Sequence, residues 1–528
     1  MKRIIIYLIG LIVLLVDYYL LLPPINLSSP LFWHFAFNIL FVVLICSILT
    51  RSTRLLVGNH FNRDFFKTYR YIFISLCSIV VLLFLVNIIS SPIFNAKEYS
   101  KRITISENHD FATDVSEVDF TKTPLLDKDS SEKLGDRKMG EFTSMVSQFY
   151  VSDLYTQINY NNQIIRVTPL EYAGFIKYMS NRKKGIEGYI SVDSVNGNAS
   201  LVKLDKGMRY VPSAYFFENL YRKLRLDYPT TIFDTASFEI DNDGNPYWII
   251  PTVKYKAIGL KKEINGAVIL DPITGKSKKY KVEDIPSWVD HVYSSSLIIE
   301  QIDDWGNYKN GFLNSIFGQK DVINTTDGYN YLVMDDDVYL YTGITSVSTD
   351  ESNLGFVLVN MRTKETNYYL SPGAEEYSAM ASAEGLVQEK NYVASFPLLI
   401  NLNGKPTYLL SLKDNAGLVK MYAFIDVEDY QKVVVNDSSL GIMAAAEKYL
   451  SEANITSNKN VFEKEIIVKE IQNAVIDGIT YYYITDFDDN RYSASIKIAK
   501  DELPFIKSGD LISISYRSGK VSQIVAIN

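Results

Sequence analysis

Hydrophobic residues are concentrated at the start of the chain, in runs with almost no charged position. Three of these runs have about the ~20 residues that a helix needs to cross a lipid bilayer: Ile4–Leu22, Leu31–Thr50 and Tyr71–Ser90. The first run is not a cleaved signal peptide, because Pro23 and Pro24 follow it in place of a small-residue cleavage motif. The pattern predicts three transmembrane helices, 4–22, 31–50 and 71–90, within residues 1–93.

The charges between these runs predict the orientation of the helices. Lys2 and Arg3 precede the first run, and the loop between the second and third runs contains five cations and one acid, Asp64. The cations of that loop are Arg51, Arg54, Arg63, Lys67 and Arg70. The positive-inside rule places the N-terminus and this loop in the cytoplasm. We therefore predict a multi-pass protein of the plasma membrane in which everything after residue 93 is extracytoplasmic.

Three polar residues lie inside the predicted helices, near their outer ends: Asp17, His34 and Asn87. At ~1.5 Å per residue, Asp17 and His34 lie within about 8 Å of the outer interface. A lone carboxylate in a membrane helix is costly and usually faces a partner or water. We predict either a polar cluster of Asp17 with His34 or Asn87 that fixes helix packing, or an interfacial Asp17 that reaches the headgroups beside Tyr18 and Tyr19.

The rest of the chain divides into regions of different composition and residue pattern. Residues 94–155 are polar and charged, which predicts a tether with a helix near Met139–Tyr150. Residues 156–455 alternate β-branched and aromatic runs with turn residues and helical stretches, which is typical of an α+β fold. Within them Phe238–Ile250 is similar to Leu398–Leu410, with Gly244 and Gly404 in the same turn. We predict four repeated units, at about 158–225, 238–295, 331–390 and 396–453.

One of these units resembles a known family of extracytoplasmic modules. In Ala267–Tyr293 a buried strand ends at Asp271, the turn Thr274-Gly275-Lys276 follows, and then come a strand and a helix. This order resembles the PepSY family, which implies a helix packed on an antiparallel sheet and a binding or inhibitory role rather than a catalytic one. The whole chain also resembles multi-pass surface proteins of low-GC Gram-positive bacteria, which supplies no mechanism.

Residues 456–528 predict a separate small domain. Five short strands, with turn signals at Asp488–Asn490 and Ser518-Gly519 and a helical turn near Asp501–Ile506, are typical of an OB-like or SH3-like β-barrel. The strands are predicted at Glu465–Ile471, Ile479–Thr485, Tyr492–Ala499, Leu511–Tyr516 and Lys520–Ile527.

Charge and cysteine content narrow the class of protein. Residues 1–92 hold seven Lys and Arg against two acids, a net charge of +5, so the rest of the chain carries −13 of the total of −8. An extracytoplasmic region this acidic lacks the clustered cations that nucleic-acid binding needs. Both cysteines, Cys46 and Cys77, fall in membrane helices. An ectodomain without cysteine favours a bacterial surface protein over a eukaryotic secreted one, in which disulfides are common.

No motif predicts a catalytic, cofactor-binding or metal-binding residue. The ectodomain has no cysteine nucleophile, and its only histidines are His109, in the tether, and His291, which a structural role fits better. The acid runs Asp335–Asp337 and Asp241–Asn245 fit turns better than calcium sites. A pair of carboxylates for glycan hydrolysis stays open, because its members need not be adjacent in sequence. Asp303-Asp304-Trp305 and Glu375-Glu376 are the places where such a pair is expected.

These observations leave three hypotheses for function. The leading one is a non-enzymatic, membrane-anchored surface protein whose extracytoplasmic repeats bind or scaffold a protein or an envelope polymer. The alternatives are an envelope-remodelling hydrolase that uses a carboxylate pair, and an accessory subunit of a membrane complex in which the helices are the working part. None of the three involves a cofactor or a nucleic acid.

Overall fold

The structure is a computed structural model that describes residues 2–55, 63–334, 337–347, 352–452, 462–476, 479–517 and 520–526. The chain forms two compact units, Met1–Tyr449 and Leu450–Asn528. The first contains the N-terminal helices and four antiparallel sheets with their helices, and the second is a small barrel. The described fold is therefore of the mixed α+β class.

The three apolar runs form three long helices, α1 (Lys2–Leu21), α2 (Pro30–Leu55) and α3 (Arg63–Ile89). Two segments, Arg3–Leu21 and Pro30–Thr50, are long and apolar enough to cross a membrane. A third segment, Leu76–Ile89, is followed after a bend of 45° by α4 (Pro92–Tyr99), and the two together would make a third span. Apolar side chains such as Leu20, 71% exposed, and Phe41, 62% exposed, face outward, which is compatible with a lipid surrounding.

Helices α1 and α2 pack against each other as an antiparallel hairpin. At Gly10 the helices are so close that an added Cβ would lie 2.6 Å from Sγ of Cys46. Near the other end the rings of Tyr18 and Phe35 meet edge to face at 5.5 Å. A small residue at the crossing lets two membrane helices approach closely, and dispersion contacts then hold them together.

Residues 94–155 are not an extended tether, contrary to the sequence-based prediction. Strand β1 (Ile105–His109) adds to the edge of a sheet, α5 (Phe111–Asp114) follows, and Val118 N–H donates to Asn401 O at 2.9 Å. The helix of this segment is α6 (Lys128–Gly140), earlier than predicted, with α7 (Thr143–Val146) after it. Polar composition predicted solvation, but buried anchors such as Ile103 and Met139, each 2% exposed, hold the segment on the sheets.

Four sheets follow, whose strands pair antiparallel except for the parallel pairing of β1 with the last strand of the third sheet. The first contains β2 (Phe149–Val151), β3 (Thr156–Tyr160), β4 (Gln163–Tyr172), β5 (Ile186–Asp193) and β6 (Ala199–Met208). The second contains β7 (Ile232–Phe233), β8 (Ser237–Ile240), β9 (Pro246–Tyr255), β10 (Lys262–Leu270) and β11 (Ser277–Tyr280). The third contains β12 (Ile323–Thr325), β13 (Asn330–Met334), β14 (Asp337–Ser346), β15 (Ser352–Asn360) and β16 (Thr366–Ala374), with β1 at its edge. The fourth contains β17 (Val393–Ala394), β18 (Leu398–Leu402), β19 (Lys405–Lys413), β20 (Val419–Asp426) and β21 (Val433–Asp437).

All four sheets have one strand order. In each, two short strands pair with the same edge of a long strand, as β7 and β8 do with β9, and two further strands follow in meander order on its other edge. The predicted unit boundaries at 158, 238, 331 and 396 cut off the first short strand of every sheet. Those strands are two or three residues long, too short for alternating polarity to reveal them.

Each sheet is followed by a helix. These helices are α9 (Leu220–Asp227), α10 (Ser295–Tyr308), α11 (Glu376–Gly385) and α12 (Ile442–Glu452), and the first sheet has a further helix, α8 (Phe175–Asn181), between β4 and β5. One apolar core joins the first two sheets around Trp248 and Phe238. A second core joins the second and third sheets to α10 through side chains such as Ile298 and Val357. The first three sheets therefore share cores, and all four belong to one compact unit.

The second unit is a closed barrel of five strands with the order β22-β23-β24-β26-β25. They are β22 (Phe462–Ile476), β23 (Ile479–Asp486), β24 (Arg491–Ser495), β25 (Leu511–Arg517) and β26 (Lys520–Ala526). The first strand is long enough to pair with β25 through its first half and with β23 through its second. A 3₁₀ turn at Leu503–Phe505 lies where the sequence predicts a helical turn.

Candidate functional site

The membrane residues singled out from the sequence do not form one cluster. Asp17 accepts a hydrogen bond from the side-chain amide of Asn38 in α2, at 3.0 Å. Asn87 instead donates to the backbone carbonyl of Ile258 at 3.2 Å, in the loop between β9 and β10. Among the described residues no hydrogen bond joins Asp17 to His34 or to Asn87. The partner that the structure gives to Asp17 is therefore Asn38, one helical turn beyond His34.

The short loop between α1 and α2 is docked on the second sheet. Ile25 N–H donates to Pro229 O at 2.8 Å, and Gly259 N–H donates to Ser28 O at 3.0 Å. The guanidinium of Arg225 in α9 donates to Leu22 O at 2.8 Å. Together with Asn87, these contacts bring the end of α1, the start of α2 and the end of α3 to one side of the sheets.

A buried ion network follows directly after α4. The side chain of Arg102 is 1% exposed and pairs with Glu263 at 2.7 Å, with Glu300 at 3.1 Å and with Asp304. Lys261 adds a second cation, at 2.7 Å from Glu300 and 3.1 Å from Asp304. Burial raises the pKa of Asp304, although both cations oppose that effect. The network connects the residues directly after α4 to the second sheet and α10.

The two places predicted for a carboxylate pair are occupied by structural contacts. Asp303 accepts from the backbone N–H of Thr325 at 2.9 Å and from its hydroxyl at 3.0 Å, while Asp304 is held in the ion network. Glu376 is fully buried and accepts from the Tyr341 hydroxyl at 2.6 Å. These three carboxylates are thus engaged by neighbouring side chains or backbone.

An open cleft of about 740 Å³ lies on the first sheet, beside hairpin turns of the second. Tyr160 supplies partly exposed aromatic surface, while Tyr189 is buried and its hydroxyl donates to Gly244 O at 3.1 Å. Both signs of charge line it, with the lysines on β6 and carboxylates on β5, β6 and the β8–β9 turn. These charged residues are Lys203, Lys206, Asp193, Asp205 and Asp243. Aromatic faces with mixed polar groups suit a polar, chain-like ligand such as a glycan or a peptide.

Buried polar groups meet where the first two sheets join. Glu239 of β8 is 0% exposed and accepts from the backbone N–H groups of Asp290, at 2.8 Å, and His291, at 3.2 Å. Asp290 in turn accepts from Asn159 N–H at 2.8 Å, and a ring nitrogen of His291 lies 2.7 Å from Gln157 O. Burial raises the pKa of Glu239 to about 7 and lowers the pKa of His291 to about 4. At neutral pH His291 is therefore uncharged, and its contacts are structural.

A cavity of about 20 Å³ lies beside Arg166 and Gln157, between the first sheet and the fourth. Arg166 is 6% exposed and donates to Leu126 O at 3.3 Å, while Nε of Arg166 and both polar atoms of the Gln157 amide have no partner on the protein. Burial lowers the pKa of Arg166 to about 10. A space of this size fits about one water molecule that could satisfy these groups.

Neither acid run forms a metal centre in the part of the chain that is described. Asp241 accepts from the N–H groups of Asp243, at 3.0 Å, and Asn245, at 2.9 Å, which is the hairpin turn expected from the sequence. Of the Asp335–Asp337 run, the first two residues lie outside the described residues, and Asp337 pairs with Arg362 at 2.6 Å. No group of three His, Cys, Asp or Glu side chains among the described residues could hold a metal ion.

Comparison with known proteins identifies no family for this chain. No family model and no curated protein matches the chain. Among solved structures, a chimera of ACO and RPE65 is 7% identical with a TM-score of 0.14, and a mutant of the Synechocystis apocarotenoid oxygenase is 9% identical with a TM-score of 0.14. Each alignment covers 72% of this chain and 62% of the other. The intramolecular trans-sialidase from Ruminococcus gnavus is 10% identical over 72% of this chain and 71% of its own, with a TM-score of 0.10. TM-scores this low do not establish a shared fold with any of these proteins.

Several features of the site could not be found by sequence pattern. Arg102 lies in a polar stretch and has partners about 160 and 200 residues away, so nothing near it in sequence marks it as buried. The cleft combines β3, β5 and β6 with turns of the next sheet, a juxtaposition that only the packing of the sheets creates. The one available signal was the Gly244 turn, which the sequence places in a hairpin and which lines the cleft.

Proposed function

We propose that this protein is a non-enzymatic, membrane-anchored surface protein whose extracytoplasmic sheets bind or scaffold a protein or an envelope polymer. The observation that carries the proposal is the open cleft of about 740 Å³, lined by Tyr160 and by charges of both signs. It lies on a body of four sheets fixed to membrane-compatible helices. The hydrolase alternative has less support, because Asp303, Asp304 and Glu376 are each held in structural contacts.

The anchor is proposed to consist of three transmembrane helices, with α3 as the third span. The apolar part of α3, residues 71–89, is close to the ~20 residues needed to cross a bilayer. The docked loop Leu22–Ser29 and Asn87 support a topology in which the outer ends of all three helices meet the ectodomain. The cationic residues of 51–70 would then lie on the opposite, cytoplasmic side, in accord with the positive-inside rule.

This orientation has a direct test. Protease added to intact cells stripped of their wall should remove the ectodomain and leave a membrane-embedded fragment. A tag at the N-terminus should stay protected until the membrane is permeabilised. If the ectodomain is protected and the tag is cleaved, the topology is inverted and the surface function fails with it.

The C-terminal barrel is proposed to be OB-like, because its first strand pairs with the second and the fourth and its third strand runs parallel to the fifth. Its segment 461–528 has eight Lys and Arg against ten Asp and Glu, so the barrel is proposed to contact a protein or polymer rather than nucleic acid. The PepSY-like character of Ala267–Tyr293 stays a prediction that points to the same binding role.

Photo-cross-linking in intact cells tests the binding role of the cleft. A photoreactive amino acid is placed at Ser200, an exposed residue of the cleft, and, as a matched control, at the exposed Ser439 that follows the fourth sheet. We expect Ser200 to give discrete cross-linked species, identifiable by mass spectrometry as a protein or a wall polymer. Equal product patterns at both positions, or no product at Ser200, would contradict a ligand-binding cleft.

A further inference from the structure

An exposed apolar patch covers one corner of the first sheet. It is formed by α8 and by the segment Tyr215–Phe217, followed by α9, where large side chains face solvent: Ile176 is 76% exposed and Phe217 is 70% exposed. The ring of Phe175 in α8 meets Tyr215 at 5.0 Å and Phe216 at 6.1 Å, so the two segments form one surface. Its other apolar members are Met179, Tyr221 and Leu226.

The patch is rigidly built although its apolar side chains are outside. Tyr178 is buried beneath it and donates to the Glu218 carboxylate at 2.7 Å, and Arg209 pairs with the same carboxylate. Phe216 is held at φ +53°, a left-handed backbone conformation that is rare for a bulky residue. Such strain persists where the surrounding structure fixes it, and it is often found at functional surfaces.

Cations surround these apolar side chains. Residues 174–184 contain four cations and no acid: Lys177, Arg182, Lys183 and Lys184. Lys183 and Lys184 are exposed, and no ion pair of Lys177, Lys183 or Lys184 occurs among the described residues. Lys177 lies within α8 (Phe175–Asn181), and the other three cations follow the end of the helix. Exposed apolar side chains with cations beside them are typical of a surface that lies on an anionic membrane.

The patch is continuous with the outer end of the first membrane helix. The guanidinium of Arg222 lies 3.8 Å from the ring centroid of Tyr19 in α1, and it donates to Phe216 O at 2.6 Å. Tyr18, Tyr19 and Trp33 cluster at this end of the hairpin, as aromatic residues do at the headgroup level of a bilayer. Arg222 therefore connects the headgroup level directly to the patch.

We propose that this patch dips into the outer leaflet of the membrane that α1–α3 span, with its aromatic and aliphatic side chains at the acyl boundary and its lysines on anionic headgroups. The inference rests on the proposed membrane anchoring and adds a second contact with the same bilayer. Together with the docked α1–α2 loop, this contact would restrain the tilt of the ectodomain relative to the bilayer plane.

The test uses the full chain in nanodiscs of phosphatidylcholine and phosphatidylglycerol, with Cys46 and Cys77 replaced by alanine. Single cysteines at Phe217 and, independently, at Ile176 carry an environment-sensitive dye, and lipids with nitroxide groups serve as quenchers. Leu370, 72% exposed on the third sheet, is the control matched for exposure, and Val13 in α1 is the control for anchoring. We expect quenching at Phe217 and Ile176 several-fold stronger than at Leu370, and weaker when Lys183→Glu and Lys184→Glu are added.

The outcomes separate the two proposals. If Val13 is quenched while Phe217 and Ile176 behave like Leu370, the anchor stands and the lipid contact of the patch is refuted, which would leave the patch as a surface for another protein. If Val13 also escapes quenching, the anchoring fails and the inference fails with it. If quenching at Phe217 does not change when phosphatidylglycerol is omitted or the lysines are reversed, the proposed role of anionic headgroups is wrong.

Discussion

The carboxylate of Asp17 in α1 and the side-chain amide of Asn38 in α2 are joined by a hydrogen bond of 3.0 Å. The pair lies beside the edge-to-face contact of Tyr18 with Phe35, near the loop that joins α1 and α2. It gives the one acid of these two apolar helices a donor on the neighbouring helix. In a membrane, such a bond aligns two helices that the hydrophobic effect alone would not hold in register.

Replacing Asn38 by Leu should therefore destabilise the hairpin, because the Asp17 carboxylate loses its donor in an apolar surrounding. We expect a loss of about 1–2 kcal/mol, the upper range for hydrogen bonds between membrane helices. The double variant Asp17→Leu/Asn38→Leu should recover part of that loss. Unfolding by SDS in mixed micelles measures the stability of the single and the double variant, and His34→Leu is the control. Unchanged stability of Asn38→Leu would favour the interfacial interpretation of Asp17.

Breaking the ion network at Arg102 should cost more stability than breaking the Asp17–Asn38 hydrogen bond. Arg102→Met leaves Glu263, Glu300 and Asp304 with Lys261 as the main remaining cation, and breaking a buried pair on one side costs about 3–5 kcal/mol. Lys309→Met removes the exposed pair with Glu107, whose side chains are 51% and 49% exposed, and should cost about 0–1 kcal/mol. Chemical denaturation measures the free energy of unfolding of Arg102→Met and of Lys309→Met. Equal effects would show that the buried network does not hold the juxtamembrane segment on the sheets.

Equivalent turns in two sheets should respond alike to substitution. Gly244, between β8 and β9, has φ +81°, and Gly404, between β18 and β19, has φ +79°. Alanine at either position should cost about 1 kcal/mol, because the left-handed conformation is unfavourable for a residue with a Cβ. Gly385→Ala, at the end of α11 with open space around its Cβ, is the control and should be neutral. Thermal unfolding curves that separate Gly244→Ala from Gly404→Ala would argue against equivalent turns.

The sequence predicted features that local pattern determines. The apolar helices, the five barrel strands and the Gly244 and Gly404 turns follow from run length, alternation and turn chemistry. It misplaced the region 94–155, because Arg102 and Asp127 are charged residues that become buried only through partners such as Glu263 and Lys413. The partner of Asp17 was missed for a similar reason, since the rotation of two packed helices decides whether position 34 or 38 faces it.

The sheet junction contains two titratable groups whose pKa values burial shifts in opposite directions, in each case favouring the uncharged form. Glu239 titrates near 7 in the folded protein against 4.5 for an unperturbed group, and His291 near 4 against 6.5. The stability that protonated Glu239 supports is fully present below about pH 4.5 and is lost as the pH rises through 7. The stability that neutral His291 supports is present above about pH 6.5 and is lost as the pH falls through 4.

Between about pH 4.5 and 6.5 these two dependences oppose each other, so together they should leave the wild-type free energy of unfolding nearly flat. Glu239→Gln removes the first dependence. We expect it to lower stability by about 1–3 kcal/mol, because the amide can accept only one of the backbone N–H bonds through its oxygen, and to make stability rise with pH across this interval.

His291→Gln should give the reverse slope, with stability falling between pH 4.5 and 7. Denaturant titrations at closely spaced pH values measure both slopes as differences from the wild type, which cancels groups elsewhere in the chain. If both variants keep the wild-type profile, Glu239 and His291 do not titrate in this range and the buried junction is electrostatically inert.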